Sequence, residues 1–241
     1  MAATLYSIAI SHPSQAARLM LERKGIEHEI VPVQPGWQPF VLRLKGFRGT
    51  TVPALRIDGR RIQGSRRISR ELDRIQPDPS LFPGDPERRR AVEDAEEWGD
   101  RALQPVPRRL FRWALASRHD MRQWMARDVM RVPAPELVAL TLGPIAKAFS
   151  HKSRGSDERV RADLAVLPGM LDHVDALIAD GTIGGDEPNA ADFQIGTCVW
   201  SLTSFSDLRP LVEGRPAATL AGKLLAPPKM NVPSVVPVGW V

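Results

Sequence analysis

The first 33 residues carry a pattern that few folds can satisfy, namely a short strand, a helix and a second short strand. Residues 4–10 favour a strand, and Pro13 in the turn that follows suits the first turn of a helix. Gly25 lies where a helix end needs a left-handed residue, and residues 28–33 again favour a strand. The helix has apolar residues at helical spacing: Ala16, Ala17, Met20 and Leu21. A crossover of this length implies two parallel strands and a right-handed connection.

Residues 51–63 predict a β-hairpin, because two short β-forming runs flank Asp58-Gly59, a dipeptide typical of tight turns. Pro53 lies inside the first run, and since proline cannot donate to the ladder, this strand is expected at an edge or in an irregular position. Residues 38–44 predict a short helix, and Gly64-Ser65 begins another. The predicted order is therefore β-α-β-α-β-β-α.

The rest of the chain predicts helices alone. Pro79, Pro83 and Pro86 belong to a linker, so we expect a first domain at residues 1–78, a linker at 79–87 and an all-helical domain at 88–241. Apolar spacing in the last part predicts five or more helices. Pro168 is expected to kink or divide its helix, and the proline-rich stretch from Ala226 is expected to form an extended tail.

Composition excludes several classes of function. The chain has 33 Lys+Arg against 28 Asp+Glu, but these charges are spread out and accompany no nucleic-acid reading motif, so we expect no nucleic-acid binding. Cys198 is the one cysteine, which excludes an internal disulfide and favours a cytoplasmic location. No apolar run is long enough to span a bilayer, so no membrane association is expected. The five histidines have no metal-ligand spacing, so no metal is expected.

Several motifs in order resemble the soluble glutathione transferase family. They are Ser11-His12-Pro13-Ser14, Val52-Pro53-Ala54-Leu55, Asp58-Gly59, Gly64-Ser65-Arg66-Arg67-Ile68 and residues 183–193. The resemblance covers nearly all of the chain up to about Val212. It implies an α/β thioredoxin-like N-terminal domain followed by an all-α helical bundle domain, and a site for glutathione or another low-molecular-weight thiol.

Val52 and Pro53 are the first implied binding residues, since the resemblance implies a cis peptide bond between them. The N–H and C=O of Val52 would then face outward and pair antiparallel with the backbone of a bound peptide. The structural alternative is an ordinary trans proline in an edge strand.

Ser65 is the second, because a helix start favours an anion through its free N–H groups and dipole. In the family the matching serine binds the γ-glutamyl carboxylate, while in this chain its hydroxyl could also simply cap the helix. Gly64 departs from the family, where the preceding residue is usually acidic or an amide, so one contact to the ligand amine is missing.

Ser11 is the expected catalytic residue. It follows the first strand at the start of the first helix, where its hydroxyl and nearby N–H groups can stabilise the thiolate of the bound thiol. Tyr6 and Ser14 are the alternatives for this hydroxyl role, and capping of the helix is the structural alternative.

Trp37 and Lys45 lie in the connection where family members contact the glycine carboxylate of glutathione, and Arg43 and Arg48 compete with Lys45 for that role. In the second domain Phe111 and Trp113 either line a pocket for an apolar co-substrate or belong to the core.

The second half also contains residues interpreted as structural. Asn189 and Asp192 predict a capping box, and Cys198 lies on an apolar helix face as an inert thiol.

The resemblance implies a glutathione S-transferase that activates a thiol for attack on an apolar electrophile, working as a homodimer. Arg66, Arg67 and Arg70 are expected in a basic cleft between its subunits. Two alternatives keep the same fold: a thiol-dependent isomerase or dehalogenase, and a catalytically silent binding protein. A glutaredoxin-like reductase is disfavoured because a serine at position 11 cannot form a mixed disulfide.

Overall fold

The computed structural model describes residues 2–228 and 232–240. Its first part holds a four-stranded sheet of order β2-β1-β3-β4. Strands β1 and β2 are parallel, whereas β3 runs antiparallel to both β1 and β4. The strands span Ala3–Ser7, His28–Pro32, Ala54–Ile57 and Arg60–Gln63. The predicted parallel pair and hairpin are confirmed, and Asp58 and Gly59 both have positive φ, as a tight primed turn requires.

Three helices cover this sheet, and alternate residues of β1 show which face each helix covers. Leu5 packs into the larger core with α1 and α3, while Tyr6 packs into a smaller core with Leu42 of α2. The helices span His12–Arg23 (α1), Gln38–Leu44 (α2) and Ser65–Ile75 (α3). Helix α2 has the predicted bounds, and the first part has the thioredoxin-like arrangement that was expected.

The remaining described residues form helices joined by turns and loops. Two π-helical segments, Gly99–Leu103 and Met125–Val129, continue α4 and α6. The helices are α4 Pro86–Trp98, α5 Pro105–Ser117, α6 His119–Trp124, α7 Pro135–Lys152, α8 Asp157–Ala179, α9 Ala190–Thr203, α10 Arg209–Val212 and α11 Pro216–Leu224. Within the described ranges, no helix has the length and apolar character needed to cross a membrane.

Helix α9 joins the two halves, since it packs against α1, α4 and α11 and nearly all of its residues are buried. Its predicted capping box is confirmed: the Asn189 side chain accepts from the N–H of Asp192, and the Asp192 carboxylate accepts from the N–H of Asn189. A second link is the buried carboxylate of Glu96 on α4. It accepts a hydrogen bond from the Ser69 hydroxyl at 2.7 Å and forms an ion pair with Arg70 of α3.

The structure corrects one part of the expectation for Pro168, namely that it divides its helix. Pro168 does not divide its helix, because α8 runs unbroken from Asp157 to Ala179. Leu164, Leu167 and Leu171 are buried on one face of α8, so both halves of the helix are held on the same core.

The proline-rich tail forms no helix where the structure describes it, and it packs on the helices. It contains a turn in which the N–H of Trp240 donates to the C=O of Pro237 at 3.2 Å. Asp207 accepts hydrogen bonds from the backbone N–H groups of Val235 and Val236. Trp240 lies against Trp113, with ring centroids 5.5 Å apart.

Candidate functional site

Strand directions bring most of the predicted site residues to one edge of the sheet. This edge holds the carboxyl ends of β1, β2 and β4 and the start of β3. Ser11 follows β1 and Trp37 follows β2, while Val52 and Pro53 precede β3 and Ser65 follows β4. The site expected from separate segments is therefore gathered in one place by topology.

The Val52–Pro53 bond is cis, which agrees with the expectation and excludes the trans alternative. The C=O of Pro53 accepts from the N–H of Gly64 at 3.0 Å, which ties the start of β3 to the start of α3. Neither the N–H nor the C=O of Val52 has a hydrogen-bond partner among the described residues. Val52 therefore presents one free donor and one free acceptor at this edge.

Two side chains of β4 hold the loop that leads to Val52. The Gln63 amide accepts from the N–H of Gly49 at 2.7 Å and donates to the C=O of Thr51 at 3.2 Å. Arg61 donates to the C=O of Lys45 at 2.9 Å. The loop is therefore positioned by the sheet itself, and neither side chain was singled out from the sequence, where β4 shows only its hairpin pattern.

Ser65 is buried, with 2% of its surface exposed. Its hydroxyl donates to the side-chain amide oxygen of Gln194 on α9 at 2.7 Å. The helix-capping alternative is wrong, because Gly64 occupies the N-cap position of α3 and no side chain caps this helix. Gly64 has a φ of 89°, a conformation that favours glycine. The amide nitrogen of Gln194 is buried and unpartnered in the described structure.

Ser11 precedes α1 as its N-cap residue, yet its side chain makes no capping hydrogen bond, so that structural alternative is also wrong. Ser11 is half-buried, and in the described part of the chain its hydroxyl is uncommitted. Ser14 is completely buried, and Tyr6 packs edge-on against Phe47 at 5.5 Å. Of the three hydroxyl groups considered, that of Ser11 is the most accessible at the helix start.

His12 was not predicted to belong to the site. It is 5% exposed, and its Nε2 atom has no partner among the described residues. Burial, and secondarily the positive charge of Arg108, lower the pKa of His12 to about 3. The imidazole next to Ser11 is therefore neutral at physiological pH. In the sequence, only the position of His12 between Ser11 and Pro13 could have indicated that it belongs to the site.

Two arginines of α5 were also not predicted, and one of them acts on the same region. Arg108 acts electrostatically on His12, and Arg112 lies one helical turn further along α5. Burial lowers the pKa of the Arg112 guanidinium to about 10 and also lowers the pKa of Arg108. Arginines are spread over much of the sequence, so nothing in it distinguishes these two from the others.

Phe111 and Trp113, the other candidates on α5, belong to the core. Phe111 packs edge-on against Trp124 and Phe205, while the indole N–H of Trp113 donates to Asp157 at 2.7 Å. Trp113 is also covered by Trp240.

Trp37 and Lys45 do not meet. They flank α2 at opposite ends, and Trp37 is 60% exposed, with Phe40 as its aromatic neighbour. Lys45 is exposed, as are its competitors Arg43 and Arg48. A cavity of about 390 Å³ lies beside Lys45, with these lining residues: Gly46, Phe47, Arg48, Arg61, Gln63 and Arg67.

Cys198 and two of the expected cleft arginines have structural roles. Cys198 is fully buried, and burial raises the pKa of its thiol, so it is an inert core residue. Of the expected cleft arginines, Arg66 and Arg70 pair with Glu96 within the chain, while Arg67 is exposed. Within residues 2–228 and 232–240, no three His, Cys, Asp or Glu side chains are grouped to hold a metal ion.

Comparison with known proteins agrees with this geometry. Residues 5–80 match the family model of the glutathione S-transferase N-terminal domain. The maleylacetoacetate isomerase of Mus musculus is 36% identical over 106 residues, which are 42% of this chain and 49% of that protein. The chain thus spans about half the length of this curated relative.

Solved structures extend the likeness to both halves of the chain. FzlA from C. crescentus aligns with a TM-score of 0.59 and 21% identity, covering 93% of this chain and 88% of that one. A glutathione S-transferase from Methylobacterium radiotolerans, in complex with glutathione sulfonate, aligns with a TM-score of 0.57 and 22% identity, covering 99% and 98%.

Three findings agree with the resemblance to glutathione transferases: the matched N-terminal residues, the cis proline before β3 and the helical second half. Residues 5–80 thus match the N-terminal domain of glutathione S-transferases, and both halves of the chain share the fold of the solved relatives.

Proposed function

We propose that this protein binds glutathione at the sheet edge and activates its thiol for attack on a small electrophile with an apolar carbon skeleton. The observation that carries this proposal is that the free N–H and C=O of Val52 and the uncommitted hydroxyl of Ser11 lie at the same sheet edge. The backbone of a tripeptide can pair with the N–H and C=O of Val52, and a thiolate can accept a hydrogen bond from the Ser11 hydroxyl. The solved glutathione S-transferase in complex with glutathione sulfonate supports glutathione as the thiol.

Each candidate residue has a role in this proposal. Ser11 donates to the thiolate and, with the N–H groups at the start of α1, lowers the pKa of the bound thiol. Val52 and Pro53 bind the peptide backbone, while either Trp37 or Lys45, which lie at opposite ends of α2, contacts the glycine end.

Ser65 binds the γ-glutamyl carboxylate through the first turn of α3. Its hydroxyl already donates to Gln194, so the backbone N–H groups provide the primary contact. Ligand binding would exchange the Gln194 partner for the carboxylate.

Isomerisation is the second candidate function, because the mouse relative is a maleylacetoacetate isomerase. In that reaction the thiolate would add to a cis double bond, the new single bond would rotate, and the thiolate would leave again. Conjugation consumes one glutathione for each product, whereas isomerisation consumes none. Counting free thiols during turnover therefore separates the two reactions.

Two further points belong to the proposal. The protein acts as a homodimer, in which the first domain of one copy faces the helices of the other. It works in the cytoplasm, because a reaction that uses glutathione as a nucleophile needs a compartment that keeps it reduced.

The test combines ligand binding with one substitution. Glutathione, cysteine and coenzyme A are titrated in a thermal-shift assay, and glutathione is expected to raise the melting temperature most. Ser11→Ala is expected to lower thiol-dependent turnover about tenfold or more, since a hydrogen bond to an anion is worth about 1.5–3 kcal/mol. Ultraviolet difference absorbance of the bound thiolate should show a higher thiol pKa in this variant.

Ser14→Ala is the matched control, because it removes a buried hydroxyl from the same helix start. It should retain the thiol pKa of the wild type. Loss of activity in Ser14→Ala but not in Ser11→Ala would move the role to Ser14. If no thiol shifts the melting temperature, the catalytic proposal is wrong and a silent binding protein is the better description.

A further inference from the structure

We propose that Gln194 on α9 binds the ammonium group at the γ-glutamyl end of glutathione, once the Ser65 hydroxyl has turned to the neighbouring carboxylate. This inference rests on the proposed function, because it names a further binding residue of the same site. It assigns part of the recognition of glutathione to the helical half of the chain, whereas every residue predicted to bind the thiol lies in the first domain.

The side chain of Gln194 reaches from α9 to the start of α3. It is 1% exposed, and its amide oxygen lies 2.7 Å from the Ser65 hydroxyl oxygen. Its methylene stem lies against the π-helical segment at Gly99, where a Cβ atom would approach the Gln194 Cγ atom to 3.2 Å. Packing therefore holds the stem, and the amide end is directed at the first turn of α3.

The amide of Gln194 is satisfied at one of its two ends. Its oxygen accepts from Ser65, whereas its buried Nε2 atom has no partner among the described residues. Thr197, about one turn further along α9, differs because its hydroxyl donates to the C=O of Phe193 within the same helix at 2.8 Å. In the described structure, the hydrogen bond of the Gln194 amide thus crosses from α9 to α3.

Binding of a carboxylate at the start of α3 would break this hydrogen bond. An ionised carboxylate only accepts hydrogen bonds, so the Ser65 hydroxyl must turn its hydrogen from Gln194 to the ligand. The Gln194 oxygen would then be buried without a donor, which is unfavourable unless another donor replaces the hydroxyl. The γ-glutamyl end carries such a donor, because its ammonium group is bonded to the same carbon atom as its carboxylate.

Gly64 leaves room for this ammonium group beside Ser65. A Cβ atom at position 64 would have no described atom within 4 Å apart from its chain neighbours, and glycine offers the ligand no side-chain acceptor. A carboxylate bound to the Ser65 hydroxyl keeps the adjacent ammonium group close to that hydroxyl, and so close to the Gln194 oxygen. The charge of the ammonium group strengthens a hydrogen bond to the amide oxygen.

The test compares glutathione with glutaryl-cysteinylglycine, which is glutathione without its amino group and retains the carboxylate. Calorimetric titration of the wild type should give a Kd about tenfold lower for glutathione. Gln194→Met keeps the approximate size of the side chain and removes the acceptor, so it should reduce this preference to less than about twofold. Gln194→Glu keeps an acceptor oxygen and should retain the preference.

Thr197→Val is the matched control, because it removes a buried hydroxyl from the same helix and should leave the preference unchanged. If Gln194→Met does not fold, Gln194→Asn provides the same comparison, since its amide is one methylene group shorter and does not reach the ligand.

A wild type without preference, or an equal preference in the wild type and the variant without the acceptor, would overturn the role of Gln194 and leave the proposed function intact. The expected preferences without turnover of any electrophile would have the opposite meaning, since the catalytic proposal would fail and the binding residue would stand. If glutathione does not bind at all, both proposals are wrong.

Discussion

At the scale of single residues, the start of α1 places three polar side chains in different environments. Ser11 is accessible and uncommitted, whereas His12 and Ser14 are buried with atoms that have no partner in the described structure. Buried polar atoms usually find partners, so two in one helical turn are unusual. Their concentration beside Ser11 supports a ligand site there, since a bound molecule can supply what the protein does not.

His12 also makes a pH-dependent contribution to stability that can be measured. Its pKa is about 3 in the folded chain, against an unfolded value of 6.5. Because the folded pKa is depressed, the unfolded chain binds the proton more readily between these values, and stability is lost as pH falls below about 6.5. Each pH unit below that value costs up to about 1.4 kcal/mol.

Urea denaturation at pH 7.5 and pH 5 tests this prediction. The wild type should lose about 2 kcal/mol more of its unfolding free energy than His12→Gln over this interval. His119→Gln, which changes an exposed histidine, is the control and should lose as much as the wild type. Parallel pH dependence of the wild type and His12→Gln would show that His12 does not carry the effect.

At the scale of elements, β4 has a role beyond completing the sheet. Gln63 bonds to both Gly49 and Thr51, so it holds the loop from which Val52 presents its backbone. A Cβ atom at Gly49 would approach the Gln63 side-chain oxygen to 2.7 Å, which shows how closely the loop lies against this side chain.

Gln63→Leu should therefore weaken glutathione binding without unfolding the protein. Loss of both bonds frees the loop, so we expect Kd for glutathione to rise about tenfold, with a melting temperature close to that of the wild type. Arg60→Leu changes an exposed residue of the same strand and is the control. Unchanged affinity in Gln63→Leu, measured by calorimetry, would mean that the loop is positioned without it.

At the scale of the whole molecule, apolar surface remains on both halves of the chain. Phe40 and Leu44 on α2 are 61% and 70% exposed, and Leu137 and Leu140 on α7 are 63% and 64% exposed. In the proposed homodimer the first domain of one copy faces the helices of the other, which would cover such residues. Exposed groups of large apolar side chains are typical of interaction surfaces.

Light scattering at micromolar concentration should give twice the 26.7 kDa mass of one chain. The double variant Leu137→Glu, Leu140→Glu should give the mass of one chain, because charges at a buried interface lose their hydration. Val166→Glu alters a similarly exposed apolar residue of α8 and should remain dimeric. A wild-type mass of one chain would contradict the dimer.

Local sequence signals were sufficient for the secondary structure of the first part. Asp58-Gly59 predicts its turn because few residues tolerate positive φ, and Asn189 with Asp192 predicts a helix start because the two bonds join residues only three positions apart. The order of strands then brings Ser11, Val52 and Ser65 to one edge. The cis bond before Pro53 followed from family resemblance, since proline alone permits either isomer.

Only the tertiary structure decided the partners of the site residues. The hydroxyl of Ser65 bonds to Gln194, which is 129 positions away, and Arg108 of α5 acts electrostatically on His12 of α1. No local pattern in the sequence predicts such pairs, because they depend on how α9 packs against α1, α3 and α5. The sequence by itself therefore determined the elements and the edge at which the site lies. Packing between the two halves decided which side chains meet there, because contacts such as that of Ser65 with Gln194 join residues far apart in the sequence.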